Sequence, residues 1–250
     1  MASYFFSWVG ALKLHLEAFA EFSPRDRSLI DRLAERNVRE LGPRRDLVRE
    51  GERPRAVCLL LDGWACRYKQ FADGRRQIVG FHIPGDLCDP NLAIVSAMDH
   101  SIAAVTRLRY AEIGLAEFEA MVEHSPALAR ALRWSELVNA AVAREWVANV
   151  GQRSAYERIA HLFCEMFLRL RSAGLADGDS CAFPLTQTDL ASATGLTAVH
   201  VNRTLQEMRR DGLLEFSFRR LVVPDLEALN GIGTFNATYH HLGRNGVHLD

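Results

Sequence analysis

The segment Gln187-Thr-Asp-Leu-Ala191-Ser-Ala-Thr-Gly195-Leu-Thr197-Ala-Val-His-Val201-Asn-Arg203-Thr-Leu205-Gln206 restricts the fold of this chain more than any other. Its pattern predicts two short helices joined by a tight turn. Ala191 is small at the place where the helices must cross, and a larger side chain would push them apart. Gly195 falls at the turn, where a positive φ is easily reached only by glycine. Val201 and Leu205 lie one helical turn apart and point back into a shared core. Thr197 is suited to cap the second helix, and Gly212 to end it. A unit of this kind, a helix-turn-helix, lays its second helix in the DNA major groove.

The outward stripe of that second helix carries the chemistry. Val199, Asn202, Arg203 and Gln206 follow i, i+3, i+4, i+7 spacing and share one face. Arginine grips guanine O6 and N7 with two hydrogen bonds, while asparagine and glutamine pair with adenine N6 and N7. His200 sits beside the stripe, within reach of a phosphate or a base edge. Thr186 is an N-cap for the first helix with Asp189 three residues on, and Thr186 and Thr188 are placed to donate to phosphate. A polar residue on a helix is more often merely solvated, so the weight rests on Arg203, opposite the buried Val201 and Leu205. Beyond Gly212, Leu213-Leu-Glu-Phe-Ser-Phe-Arg219-Arg220-Leu-Val-Val223 reads as two short β-prone runs, a hairpin wing with Arg219 and Arg220 near its tip.

Net charge does not contribute. Residues 1–150 hold 20 Lys+Arg against 20 Asp+Glu, and 151–250 hold 10 against 11, giving −1 overall. Attraction to phosphate therefore has to come from local placement. The five cysteines, at 58, 66, 88, 164 and 181, form no CxxC and no Cys/His ligand spacing, so neither a metal nor a cofactor is expected from them. The apolar start, Met1-Ala-Ser-Tyr-Phe-Phe-Ser-Trp-Val-Gly, lacks a basic region, and Lys13, His15 and Glu17 interrupt the next apolar residues. Leu12, Leu16 and Phe19 at helical spacing suggest an amphipathic segment, and no run approaches a membrane span. A soluble, cytoplasmic chain with no membrane partner is the expectation.

Organisation changes three times along the chain. Residues 24–40 read as helix. Short apolar runs between turns extend to about 115, with strands expected at Val57–Leu61, Trp64–Phe71 and Arg76–His82 and a hairpin at Asp73-Gly74, the pattern of a β-barrel or jelly roll. Residues 126–150 read as one long helix with Leu128, Leu132, Ser135, Val138, Val142, Glu145 and Asn149 near a 3.5-residue repeat, a seam for parallel dimer contact or for burial within one chain. A hinge is placed at Val150–Arg153 and a further helix from about Ser154 to Arg171. The expected fold class is α+β: a jelly-roll sensory region over 1–124, a dimerisation helix over 125–150, a winged helix-turn-helix over 151–229, and a poorly patterned tail over 230–250.

This order of parts resembles the Crp/Fnr family of bacterial transcription regulators over roughly residues 25–228. The most specific segments are Gly195–Leu214 and Asp73-Gly-Arg-Arg-Gln-Ile-Val-Gly-Phe-His-Ile-Pro-Gly-Asp86. The resemblance implies a homodimer on a pseudo-palindromic site in double-stranded DNA, with half-sites about 34 Å apart, and RNA polymerase as a further partner. Arg203 matches the family's base-reading arginine. Val199 stands where the family often has a base-reading glutamate, so the usual half-site is not implied.

The sensory carry-over differs. Cyclic-nucleotide-binding members carry a Gly-Glu segment and a later Arg-Ser/Thr; here the matching stretches are Gly85-Asp-Leu-Cys88-Asp89-Pro-Asn91 and Met98-Asp99-His100-Ser101. No arginine stands in the second, and Asp89 and Asp99 would repel a phosphate. The oxygen sensors' N-terminal cysteine cluster is absent, and no histidine follows Cys88 at the place of haem-binding members. His82, His100 and Cys88 remain as metal or redox groups, with turn and core hydrogen bonding as their plainer roles. A cupin-like metalloenzyme, also a jelly roll, would need clustered histidine ligands, whereas His82 is isolated and His100 lies well downstream. The effector, or whether one exists, is left open.

Overall fold

The computed structural model describes residues 12, 16–17, 20–35, 37–90 and 94–240; Phe19, Asn91 and the tail beyond 240 lie outside the described residues. Contacts divide the chain into two units, one built on residues before Gln70 and on Phe81–Leu137, the other on Gln70–Gly80 and the chain from Val138.

In the first unit, α1 spans Pro24–Glu35. Ser23 Oγ accepts from the Asp26 amide and Asp26 Oδ2 accepts from the Ser23 amide, a reciprocal cap that Pro24 follows at the first helical position. The helix is shorter than the pattern predicts, because Val38–Leu41 pair as strand β1. The next strands along the chain are β2 (Asp46–Val48), β3 (Ala56–Asp62), β4 (Ala65–Gln70), β5 (Arg76–His82, of which Arg76–Gly80 count with the second unit), β6 (Leu87–Cys88), β7 (Ser101–Ala104) and β8 (Leu108–Gly114). They form two four-stranded sheets, ordered β1-β8-β3-β6 and β2-β7-β4-β5. Strand alternation gives each sheet two destinations. Leu60, Ala65, Cys88, Ile102, Ala104 and Leu108, from both sheets, form one core cluster. Val57, Leu59 and Leu61 of β3 instead join Leu12, Leu16 and Ile30, with Phe118 and Met121 of α2 (Leu115–His124) and Leu128 and Leu132 of α3 (Pro126–Gln152).

In the second unit, α4 (Ala155–Ser172) opens on a capping box between Ser154 and Glu157. The expected hinge is therefore a break of two residues between α3 and α4. Strands β9 (Ala176–Asp177) and β10 (Ser180–Ala182) precede α5 (Gln187–Thr194) and α6 (Ala198–Arg210), and β11 (Glu215–Ser217), β12 (Arg220–Val222) and α7 (Leu226–Ile232) come after them. The sheet order is β11-β12-β10-β9. Phe163, Phe183 and Phe216 meet edge to face at 5.0–5.7 Å and pin this sheet to α4.

Of the stretch whose composition suggests a loose tail, the described residues 231–240 are packed. Phe235 and Tyr239 pack on His161 of α4, with ring centroids 5.2 and 6.2 Å away. A Cβ on Gly233 would lie 2.7 Å from the His161 amide nitrogen, so only glycine allows the backbone this close. Two aromatic residues four apart gain enough buried surface to order the segment, a signal lost when composition is averaged over twenty residues. Beneath them Glu165 is fully buried. Trp146 Nε1 donates to both its oxygens, at 3.2 and 3.0 Å, and the Tyr239 hydroxyl donates at 3.4 Å. Burial pushes the Glu165 carboxyl up to about 7 in spite of the Arg169 charge. Burial, with the Arg153 charge, pushes His161 down to about 4.

Candidate nucleic-acid interface and the polar cluster of the roll

The helix-turn-helix forms where the sequence places it. Thr186 Oγ1 accepts from the Asp189 amide while Asp189 Oδ2 accepts from the Thr186 amide at 2.9 Å, closing the cap of α5. Gly195 takes φ +68 and its amide donates to the Ala191 carbonyl. Thr197 Oγ1 accepts from the His200 amide at the start of α6. Val201, Leu205 and Met208 are wholly buried. At the far end Gly212 takes φ +71, and the Leu213 amide reaches back to the Met208 carbonyl at 3.0 Å.

The opposite face of α6 is open. Val199, Arg203 and Gln206 are exposed, and Asn202 and His200 are half-buried. Val199 is 81% exposed, unusual for a valine on a helix that has an available core. Gln187 Nε2 donates to Asn202 Oδ1 at 3.1 Å, linking the two helices and fixing the asparagine's orientation. The two cap threonines are engaged locally: the Thr186 hydroxyl donates to Asp189 Oδ2 at 2.6 Å, and Thr197 holds the α6 N-terminus. Thr188 remains exposed on the first turn of α5.

The wing forms from two strands of three residues each. Ser217 pairs with Arg220, so Phe218 and Arg219 are the two turn residues. Arg220 belongs to β12 and its guanidinium donates to Ser180 Oγ. Of the two arginines expected near the tip, Arg219 stands in the turn and Arg220 is the exposed first residue of β12; strand register, which two short β-prone runs cannot fix, decides which one occupies the turn itself.

Along α3 the seam read from the 3.5-residue repeat turns inward. Leu128, Leu132, Val138 and Asn149 are buried in this chain, and Ser135, Val142 and Glu145 are partly so. The exposed apolar residues form another stripe, Leu137, Ala140, Val147 and Val150, with Leu137 62% and Val147 75% exposed. A helix with apolar residues on two faces gives a repeat on both, and spacing alone does not tell which faces home.

In the roll, Asp89 takes φ +49 and its carboxylate binds Arg67 Nη2 at 2.8 Å and His100 Nε2 at 2.9 Å. The other His100 nitrogen meets Asp99 Oδ1 at 2.7 Å. Burial would raise the Asp89 carboxyl, but the His100 hydrogen bond and the Arg67 charge outweigh it and hold the group at about 2. The same bonds raise His100 against burial. Glu136 of α3 is raised by burial, with Arg67 and Asp89 close enough to act on it. Arg67 went unread in the sequence. It enters because β4 and β7 pair with Tyr68 opposite Ser101, and a pairing between strands thirty residues apart leaves no local signature. His82 lies 3.9 Å from Asp86, whose carboxylate also accepts from the Ile83 amide and closes the Gly85 turn. Cys88 is buried opposite Cys58, and burial raises both thiols. Among the described residues no group of three His, Cys, Asp or Glu side chains could hold a metal ion. None of their helices is long and apolar enough to cross a membrane.

A β-roll followed by a long helix and a winged helix-turn-helix with an open polar recognition face defines a DNA-binding regulator. Comparison with known proteins agrees. Residues 157–232 match the Crp-like helix-turn-helix domain and residues 38–125 the cyclic nucleotide-binding domain. The transcriptional activatory protein AadR of Rhodopseudomonas palustris is 31% identical over 82% of this chain and 81% of its own length. The nitrogen fixation regulation protein FixK of Bradyrhizobium diazoefficiens is 32% identical over 62% of this chain, a match spanning 64% of that protein. The structure of FixK2 from Bradyrhizobium japonicum superposes with a TM-score of 0.70 at 25% identity, covering 78% of this chain and 96% of that one. The chain belongs to the Crp/Fnr family of DNA-binding transcription regulators.

A cyclic nucleotide does not fit the residues present. Its phosphate needs an unengaged cation, whereas Arg67 is already paired with Asp89, and Asp99 and Glu136 add negative charge around the pair.

Proposed function

We propose that the chain acts as a homodimer on a pseudo-palindromic DNA site, each α6 entering the major groove of one half-site. The observation that carries this reading is the two-sidedness of α6: Val201 and Leu205 wholly buried, Arg203 and Gln206 exposed opposite them. Arg203 reads guanine, Asn202 and Gln206 read adenine, and Val199 offers a methyl contact to thymine. His200 and Thr188 bind phosphate and Arg219 meets the DNA from the wing tip, while Thr186 and Thr197 hold the two helix starts that face the backbone. Arg220, exposed beside the tip, braces the wing through Ser180. The dimer seam is the exposed stripe Leu137, Ala140, Val147 and Val150 of α3, whose spacing approximates a heptad pattern. The roll biases the dimer between DNA-competent and incompetent states without a cyclic nucleotide. RNA polymerase is the protein partner through which such a dimer acts on transcription.

Selection from random duplex DNA with the purified protein tests the reading. An enriched inverted repeat with half-sites one helical turn apart is the expected result, and failure to enrich any palindrome overturns it. Val147→Glu separates the dimer seam: sedimentation should show a monomer that keeps its fold, whereas a dimer of unchanged stability removes this stripe from the interface.

A further inference from the structure

The wing tip combines two features that work against stability. Phe218 and Arg219 sit at φ +48 and +60, a two-residue hairpin turn in the left-handed region, where Asn-Gly is the favoured pair. A phenylalanine and an arginine are both strained there. Phe218 is also wholly exposed, the most exposed large apolar residue among those described. Neither its conformation nor its ring gains anything from the fold.

The tip is nevertheless held firmly by what lies behind it. Phe216 of β11 is buried in the aromatic cluster, and its carbonyl accepts from Arg209 at the end of α6. Arg220 of β12 is tied to Ser180, and the Arg219 carbonyl accepts from the Phe183 amide. The wing is thus fixed to the helix proposed to read the major groove, and it presents an apolar ring beside an exposed guanidinium. Glu215, the hairpin's only acid, lies at its base, opposite Val222 and away from the tip.

We propose that Phe218 and Arg219 enter the DNA minor groove beside each half-site, and that the pair reads groove width there. This rests on the DNA-binding reading above. The partner's chemistry follows from the pair. The minor groove is walled by apolar deoxyribose edges that suit a ring, and its negative potential attracts an arginine, most strongly where A·T pairs narrow it. A ring beside one cation suits this groove better than it suits a bare phosphate, which would use only the arginine.

The test uses the full protein and its selected site, with the base pairs on either side of each half-site changed in three ways. One series carries A·T pairs, one G·C, and one inosine·C, which removes the guanine 2-amino group from the minor groove and keeps a G·C-like major groove. The parent protein should bind A·T and inosine·C flanks about three- to tenfold more tightly than G·C flanks. Phe218→Ala and Arg219→Ala should each lose most of that preference while keeping the half-site sequence. The double change Phe218→Asn with Arg219→Gly should raise the melting temperature by relieving the turn, and still lose the preference. A parent without flank preference overturns the proposal. So does a Phe218→Ala protein that keeps the preference, or one that weakens on all flanks alike. If the parent binds no palindrome at all, the DNA-binding reading falls first and this proposal with it.

Discussion

The outward face of α6 and the Asp89 cluster of the roll are both rich in hydrogen-bonding groups, and they stand in opposite conditions. On α6, Arg203 and Gln206 project into solvent with no hydrogen bond or ion pair to the described residues. In the roll, Arg67, Asp89, His100 and Asp99 close on one another through contacts of 2.7–2.9 Å. A surface that is to bind another molecule leaves donors unengaged, because each bond to a ligand then replaces only water. A pocket whose charges already pair must break a good internal bond before it can form a new one. The difference explains how a chain can match the cyclic nucleotide-binding domain in fold while the Arg67 guanidinium, among the described residues of this cluster, is already taken by Asp89.

The largest effect should come from opening the saturated cluster. Asp89→Ala leaves Arg67 and His100 half-buried without their common anion, and losing one partner of a largely desolvated pair costs about 3 kcal/mol. Thermal unfolding should show a clear fall in midpoint, and the parent's midpoint should not move with cyclic AMP or cyclic GMP. A parent stabilised by either nucleotide would show that the cluster opens for a ligand, and the contrast with α6 would fail.

On the open face, Arg203→Ala should leave stability unchanged and weaken binding to the selected site by roughly 1–3 kcal/mol, relaxing preference at one base pair. Titrations on sites varied at single positions distinguish the outcomes. An equal loss on all sequences would make Arg203 a phosphate contact.

The two regions were also unequally legible in sequence. The helix-turn-helix is local: its caps, its turn glycine and its buried valine and leucine lie within twenty residues, and the structure places them as their spacing implies. The strands at Arg76–His82 and around Val57–Leu61 were readable from alternation and turns for the same reason. The Arg67–Asp89–His100 cluster was not, since β4, the loop after β6 and β7 are brought together only by sheet pairing. The α3 stripes failed differently: the repeat was visible, but which stripe faces the chain's own core depends on the distant elements that pack against each part of the helix. Which of Arg219 and Arg220 occupies the turn itself depends on a register that their neighbours do not specify.

Arg219 and Arg220 restate the contrast within one hairpin. Arg219→Ala should reduce the slope of log affinity against log salt by about one unit, as expected for one lost cation at the DNA. Arg220→Ala should leave the slope intact, since its guanidinium is held by Ser180, and lower stability slightly instead. Equal slopes for both variants would mean that the wing does not meet DNA in this orientation.

The smallest net effect comes from a second saturated cluster, Glu165 and His161, where two opposed contributions hide each other. Glu165 has an ordinary value of 4.5 and is raised to about 7 by burial, despite Arg169 and the Trp146 and Tyr239 hydrogen bonds; Glu145 adds to the rise. From about 4.5 to 7 the folded chain therefore keeps a proton that the unfolded chain has lost, and stability falls as pH rises. His161 has an ordinary value of 6.5 and is lowered to about 4 by burial and Arg153, against the Gly233 hydrogen bond and Glu145. From about 4 to 6.5 the unfolded chain holds the extra proton, and stability rises with pH. Each group contributes at most about 1.4 kcal/mol per pH unit, with opposite signs over nearly the same window, so their sum is nearly flat. Glu165→Gln should uncover the rising slope between pH 4 and 6.5, and His161→Gln the falling slope between 4.5 and 7, both read by denaturant unfolding at a series of pH values. If Glu165→Gln leaves the profile flat, neither the carboxyl nor the imidazole is shifted by the fold, and the C-terminal segment does not seal them. The contrast between engaged and open groups would then hold for the roll but not for the base of the DNA-reading unit.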